Sequence, residues 1–261
     1  MTSVHDIESA LWQLAPRELA RSWDNVGLLV GRPDREVRRV LVALDITETV
    51  AEEAEAQGAD LIVSHHPVMN CHWHMVQTLR SDDLQGRLLR RLVSRDLSAI
   101  CMHTNLDAAQ GGVNDALAAA LDLRQVELLE EEEGIVRVGL LPAPEPLPAF
   151  LSRVRAALSP NGIRYVDGGR AVCRVAVGGG ACGGSFRRAA ERGCDAFVTA
   201  DVKYDQFLDS RAMGLSLIDA GHFPTEDVVC PVLAAYLRER FPDLKVAKSA
   251  VHRDAVQYHM E

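Results

Sequence analysis

The 261-residue chain is acidic, with a formal net charge of -9 at pH 7, 48% hydrophobic and 25% charged residues; that balance excludes disordered and fibrous classes. The acidic excess argues against a general electrostatic grip on nucleic acid, which relies on clustered Lys and Arg neutralising phosphates. No apolar run is long enough to span a bilayer and the opening MTSVHDIESALWQLAP lacks the features of a secretory signal, so no membrane association and a cytoplasmic location are expected.

In chain order the first half reads as helix (3 to 20), strands (27 to 30 and 37 to 45), helix (47 to 57), strand (60 to 64), helix (82 to 95), strand (97 to 102) and helix (111 to 121). Strands alternating with helices predict an α/β fold with a largely parallel sheet. The acidic run at 130 to 133 reads as a solvated linker or strand edge, and the proline-rich LPAPEPLP (141 to 148) as a separator. Six scattered cysteines (Cys71, Cys101, Cys173, Cys182, Cys194, Cys230) form no CxxC pair, which fits a reducing compartment.

The second half replays the first. VRRVLVALDIT aligns with VCRVAVGGGAC and EAQGADLIVSHH with AAERGCDAFVTAD in one register, pairing Val40 with Val175, Gly58 with Gly193 and Asp60 with Asp195. LSAICMHTNLD resembles LSLIDAGHFPTE, each placing a carboxylate four residues after a His. Two similar α/β lobes are therefore expected, residues 1–127 and 128–261.

Three polar clusters follow the carboxyl ends of predicted strands, where open parallel sheets bind ligands: His65 with His66, His103 with Asp107, and His222 with Glu226. Imidazole nitrogens with carboxylate oxygens suit zinc, manganese, iron, cobalt or nickel. A catalytic ion usually takes three protein ligands, so six candidates suit two ions. Pro67 is expected to bend the chain off the sheet so that both adjacent histidines reach metal, Asp107 to sit in a loop, and Pro224 to open a helix with Glu226 in its first turn.

WDNVGLLVG (23 to 31), SHHP (64 to 67), HTNLDAAQGGVND (103 to 115) and DAGHFPTE (219 to 226) closely resemble, in order, the motifs of the dinuclear-metal family of GTP cyclohydrolase 1 type 2 homologues, also called Nif-three-like. The resemblance runs from about residue 5 to 250. It implies a two-lobed α/β fold, two divalent metal ions at the lobe interface and a ring-shaped homohexamer. It also implies the ligands His65, His66, Asp107, His222 and Glu226, with Glu226 bridging and His103 nearby. Ala200, Asp201, Asp205 and Asn70 depart from the family pattern, and they are expected to leave the ligands untouched.

The function expected is that of a metal-dependent hydrolase of a small molecule, using a metal-bound hydroxide, with His103 and Asp24 as candidates for proton transfer. The family label points to a nucleotide, yet the chain has no Walker-type phosphate loop; GGGACGGS (178 to 185) lacks its lysine and reads as a tight turn or a phosphate cradle. The alternative is a non-catalytic metal-storage or scaffold protein. CHWH (71 to 74) looks like a zinc fragment without a matching partner. The resemblance implies that Trp23, Asp24 and Asn25 line the cavity, whereas WDNVG by itself reads equally as a turn whose Trp plugs a core; Lys203 with Tyr204 reads as a strand-end pair or a phosphate contact.

Overall fold

The computed structural model describes residues 1–70, 75–132 and 134–259, so the CHWH fragment and Glu133 lie outside the described residues. The strands in chain order are β1 (Thr2–Ser3), β2 (Gly27–Val30), β3 (Glu36–Val37), β4 (Arg39–Ala43), β5 (Leu61–Ser64), β6 (Ser98–Cys101), β7 (Arg124–Leu128), β8 (Arg137–Glu145), β9 (Arg164–Tyr165), β10 (Val172–Val177), β11 (Ala196–Thr199), β12 (Ser216–Asp219) and β13 (Lys245–Lys248). The fold is mixed α/β, with two compact units.

The first unit comprises Met1–Gln110 and Cys230–His252. Its five-stranded sheet runs β13-β4-β5-β6-β2, parallel throughout except for β2, which closes the edge antiparallel to β6. Every residue of β5 and β6 is buried, as expected of interior strands covered on both faces. Local chemistry sets the helix limits. Ser3 and Asp6 form a reciprocal cap on Val4–Leu14, and the chain leaves that helix at Ala15 and Pro16, so the predicted helix to residue 20 stops early and continues as a 3-10 turn, Arg17–Leu19. Thr47 caps Glu48–Gln57, which ends at Gly58 with φ 64°, a left-handed conformation suited to glycine.

The second unit comprises Gly111–Val229 and Arg253–Glu261 in the contact pattern. Its sheet runs β7-β8-β10-β11-β12-β9, with β10, β11 and β12 parallel. The expected separator at 141 to 148 is instead the end of β8 and the start of the helix Leu147–Leu158. Pro142 and Pro144 are accommodated because they fall between the pairs Leu140↔Arg174 and Glu145↔Val172, where the register shifts. The single boundary expected at 127/128 also differs from the observed division. The first unit ends at Gln110, and Cys230–His252 returns to it because β13 pairs with β4.

The internal repeat extends to individual atoms. Val40 faces Leu61 and Val175 faces Ala196, the same offset in both sheets. Asp60 accepts the Arg38 and Arg39 amides, and Asp195 accepts those of Cys173 and Arg174. Arg35 pairs with Asp60 as Arg170 pairs with Asp195. Within the second unit, Phe197 is fully buried in a cluster with Val138, Phe186 and Leu217. Phe197→Ala is expected to cost about 3–5 kcal/mol through lost burial and the cavity left behind. Denaturant unfolding checks this, and a loss below about 1 kcal/mol would contradict the packing.

Candidate metal centre

In the first unit, β5 ends at Ser64 and the chain turns at once. The amides of His65 and His66 both donate to the Leu44 carbonyl, at 3.2 and 2.9 Å, and the Ser64 hydroxyl donates to the His66 carbonyl at 2.9 Å. Those bonds hold two successive histidines in a bend, so the alternation of a regular strand no longer separates their rings. The centroids of His65 and His66 lie 4.9 Å apart, and His103 lies 5.2 and 5.6 Å from them. Ring nitrogens of all three come within 4.8 Å of one another.

Asp107 is in the short helix Thr104–Ala108 rather than in the loop expected, one helical turn after His103. Its Oδ1 is 3.6 Å from His65 Nε2. In the second unit the helix His222–Glu226 begins two residues before Pro224, which occupies its first turn, where a missing amide costs no helical bond. This places His222 and Glu226 at i and i+4, with Nε2 3.0 Å from Oε2. Glu226 is buried, 4% exposed.

All four histidines engage an oxygen through Nδ1. His65 meets the Met102 carbonyl at 2.8 Å, His66 meets Asp45 at 2.7 Å, His103 meets Asp24 at 2.9 Å and His222 meets Asp201 at 2.6 Å. A carbonyl or ionised carboxylate only accepts, so Nδ1 carries a proton in each ring and Nε2 is the nitrogen that can face a cation once any proton on it is lost. Asp201 therefore touches one of the expected ligands, contrary to the reading that the departures from the family pattern leave them untouched. It supplies the acceptor that orients His222. Asp45 and Met102 escaped sequence reasoning; the only hint of Asp45 was an acid just past a buried strand.

Electrostatics follow the same contacts. Burial opposes ionisation of Asp24, but hydrogen bonds from His103 and Thr104 hold its carboxyl at about 2. Asp45 is likewise kept well below the usual carboxylate range against its burial, by His252 and His66. Asp201 is lowered by its hydrogen bond with His222. Burial disfavours the His222 imidazolium, yet Asp201 and Glu226 outweigh it and raise the ring to about 11. A cation must displace that proton. Metal affinity at His222 is accordingly expected to rise about tenfold per pH unit from pH 7 toward 11, with one proton released per ion bound there. Calorimetry in buffers of differing ionisation enthalpy checks the proton count.

Gly180 explains part of GGGACGGS. Its φ is 61°, its amide donates to Thr225 Oγ1 at 3.0 Å, and its carbonyl accepts from Ala200 N and Thr199 Oγ1. A side chain there would run into Glu226 Oε1. A cavity of about 250 Å³ in the same unit is lined by Arg164, Asp201, Gly221, His222, Asp254 and Tyr258 among others. Trp23 meets His103 edge-on at 6.1 Å. Lys203 starts the turn into the helix Tyr204–Ala212, its amide bonded to Gln206.

Nitrogen and oxygen donors in this chemistry fit the metals named above, and the fold and donor set define a mixed α/β protein able to hold a metal ion. The chain belongs to the Duf34/NIF3 (NGG1p interacting factor 3) family, whose model matches residues 2–255. Among its relatives is a "GTP cyclohydrolase 1 type 2 homolog" of Streptomyces coelicolor, 38% identical over 250 residues, 92% of this chain and 87% of that protein. Another of the same name, from Clostridium perfringens, is 30% identical over 98% of this chain and 99% of its own. A Staphylococcus aureus hypothetical protein superposes with a TM-score of 0.89 at 27% identity, covering 98% of this chain and 99% of that one. A Bacillus cereus protein related to NIF3 shares the fold at a TM-score of 0.92 and 24% identity, over 99% of both chains. Among the described residues, no helix is long and apolar enough to cross a membrane.

Proposed function

We propose that the protein is a metal-dependent hydrolase of a small molecule, in which His65, His66, Asp107, His222 and Glu226 would hold two divalent ions. The observation that carries this is the uniform anchoring of the histidine Nδ1 atoms by oxygen, which leaves Nε2 as the ligand atom in His65, His66 and His222 and as the proton-transfer atom in His103. When bound, such ions lower the pKa of water and polarise the substrate.

The remaining roles belong to the chain itself. His103 is the proton-transfer residue, its ring adjoining His65 and His66. Asp24 orients it rather than moving a proton, since its two oxygens accept from Asn25 N, His103 Nδ1, Thr104 N and Thr104 Oγ1. The cavity beside His222 receives the substrate, and its mixture of Arg164 with several carboxylates suits a polar molecule with both donors and acceptors. The name carried by the relatives makes a nucleotide the first class to test. A cytoplasmic homohexamer is the working assembly in this reading.

Metal analysis of purified protein, followed by assays of phosphate and formate release from a nucleotide panel, tests the proposal. Release that requires metal is the expected result. Retained metal without release from any member of a panel widened to phosphoesters and amides would overturn the hydrolase reading in favour of storage or scaffolding. Sedimentation or mass photometry reads the assembly.

A further inference from the structure

Asp45 faces His66 with one carboxylate oxygen and a second histidine with the other. Oδ1 lies 2.7 Å from His66 Nδ1, and Oδ2 lies 2.9 Å from His252 Nε2. His252 comes from the stretch following β13, about two hundred residues from Asp45 in sequence, yet both belong to the first unit. The placement of His252 is heavily determined. The Ser249 amide donates to the Val42 carbonyl at 2.7 Å, the His252 amide donates to Ser249 Oγ at 3.1 Å, and Ala250 N donates to Glu53 Oε1 at 2.9 Å. Ser249 Oγ in turn donates to Glu53 Oε2 at 2.5 Å. The side chain of His252 is 11% exposed, whereas that of Asp45 is 39% exposed.

An aspartate at the end of a buried strand, two-fifths exposed, has freedom to rotate and to exchange its imidazole contact for water. His66 Nδ1 at one oxygen, and His252 Nε2 against both the other oxygen and the Asp45 amide (3.2 Å), restrict that freedom, and a ligand imidazole whose Nδ1 is fixed keeps its Nε2 aimed. We propose that His252 is a positioning residue for the metal centre, acting through Asp45 to set the orientation of the His66 ring and hence the affinity for the ion that His66 holds. This rests on the metal-centre reading above and adds to it a role for the C-terminal stretch 249–252, which carries none of the recognisable ligand motifs.

The test uses the full chain and zinc alone as the probe. In competition titrations against a chromogenic chelator, His252→Ala is expected to weaken zinc binding by about tenfold, within the roughly 10- to 100-fold cost of losing an outer partner of a ligand. His252→Gln keeps a donor near the Nε2 position and is expected to recover most of the affinity. In the zinc-loaded protein, the low-field Nδ1 proton resonance of His66 should survive in His252→Gln and broaden in His252→Ala. Circular dichroism monitors folding, and His252→Gln together with Ser249→Ala keeps the test decisive if the alanine variant is unstable. Zinc affinity unchanged in His252→Ala and Ser249→Ala, while His66→Ala loses it, would overturn the positioning role and leave the metal centre standing. Zinc affinity unchanged in His66→Ala would remove the metal-centre reading and this inference with it.

Discussion

Glu226→Ala is expected to lose metal affinity by more than about 100-fold, beyond the roughly 10- to 100-fold cost of removing an outer hydrogen-bond partner, because in the proposed metal centre a ligand itself is deleted. The buried carboxylate lies 3.0 Å from His222 Nε2, and its removal takes that contact away while Asp201 still meets Nδ1. Two consequences follow together. The His222 ring, raised to about 11 by both acids, should titrate at a lower pH in the variant, since one of the two raising influences is gone. Any metal-dependent turnover should disappear with the metal. Elemental analysis after chelator challenge reads the loss of metal, and NMR titration of the imidazole in metal-free protein reads the lowered His222 titration. Metal content within about threefold of the parent protein would exclude Glu226 as a ligand.

Gly180→Ala is expected to mimic that loss without touching a donor atom. The backbone at Gly180 has φ 61°, where a non-glycine residue is strained by roughly 1–2 kcal/mol. The added Cβ would overlap Glu226 Oε1 and lie 3.0 Å from its Cδ and 3.1 Å from His222 Nε2. Relief requires Glu226 to swing away from His222 or the turn to open, and opening the turn strains the bonds from Gly180 to Thr225 and Ala200. The expected readout is metal affinity reduced at least tenfold with a modest fall in thermal stability. Gly184→Ala is the control, because a Cβ there meets nothing within 4 Å. Equal metal retention in both variants would show that the glycine at 180 has no part in shaping the site.

The glycine result illustrates where sequence reading stops. GGGACGGS announces a tight turn, and a turn after a strand is legible, but the need for glycine at 180 arises from a carboxylate 46 residues later in the chain. Asp201 is a similar case. As a departure from a family pattern it suggested a change outside the ligands, whereas its oxygen lies 2.6 Å from His222 Nδ1. The short acid at this position reaches the ring and makes a hydrogen bond that orients it.

Chain order and residue type by themselves determined the strands that end at Ser64, Cys101 and Asp219, the histidines and carboxylates placed beyond those ends, and the repeat that sets Asp60 and Asp195 in equivalent roles. These are local patterns: buried strands announce themselves by apolar runs, and donor types by identity. Tertiary structure alone decided which nitrogen of each histidine stays available for a cation, because the oxygens that hold Nδ1 come from residues 21, 37 and 79 positions away. It also decided that Cys230–His252 joins the first unit and brings His252 to Asp45. Strand pairing and ring orientation are set by partners brought together only on folding, and no periodicity along the chain encodes them.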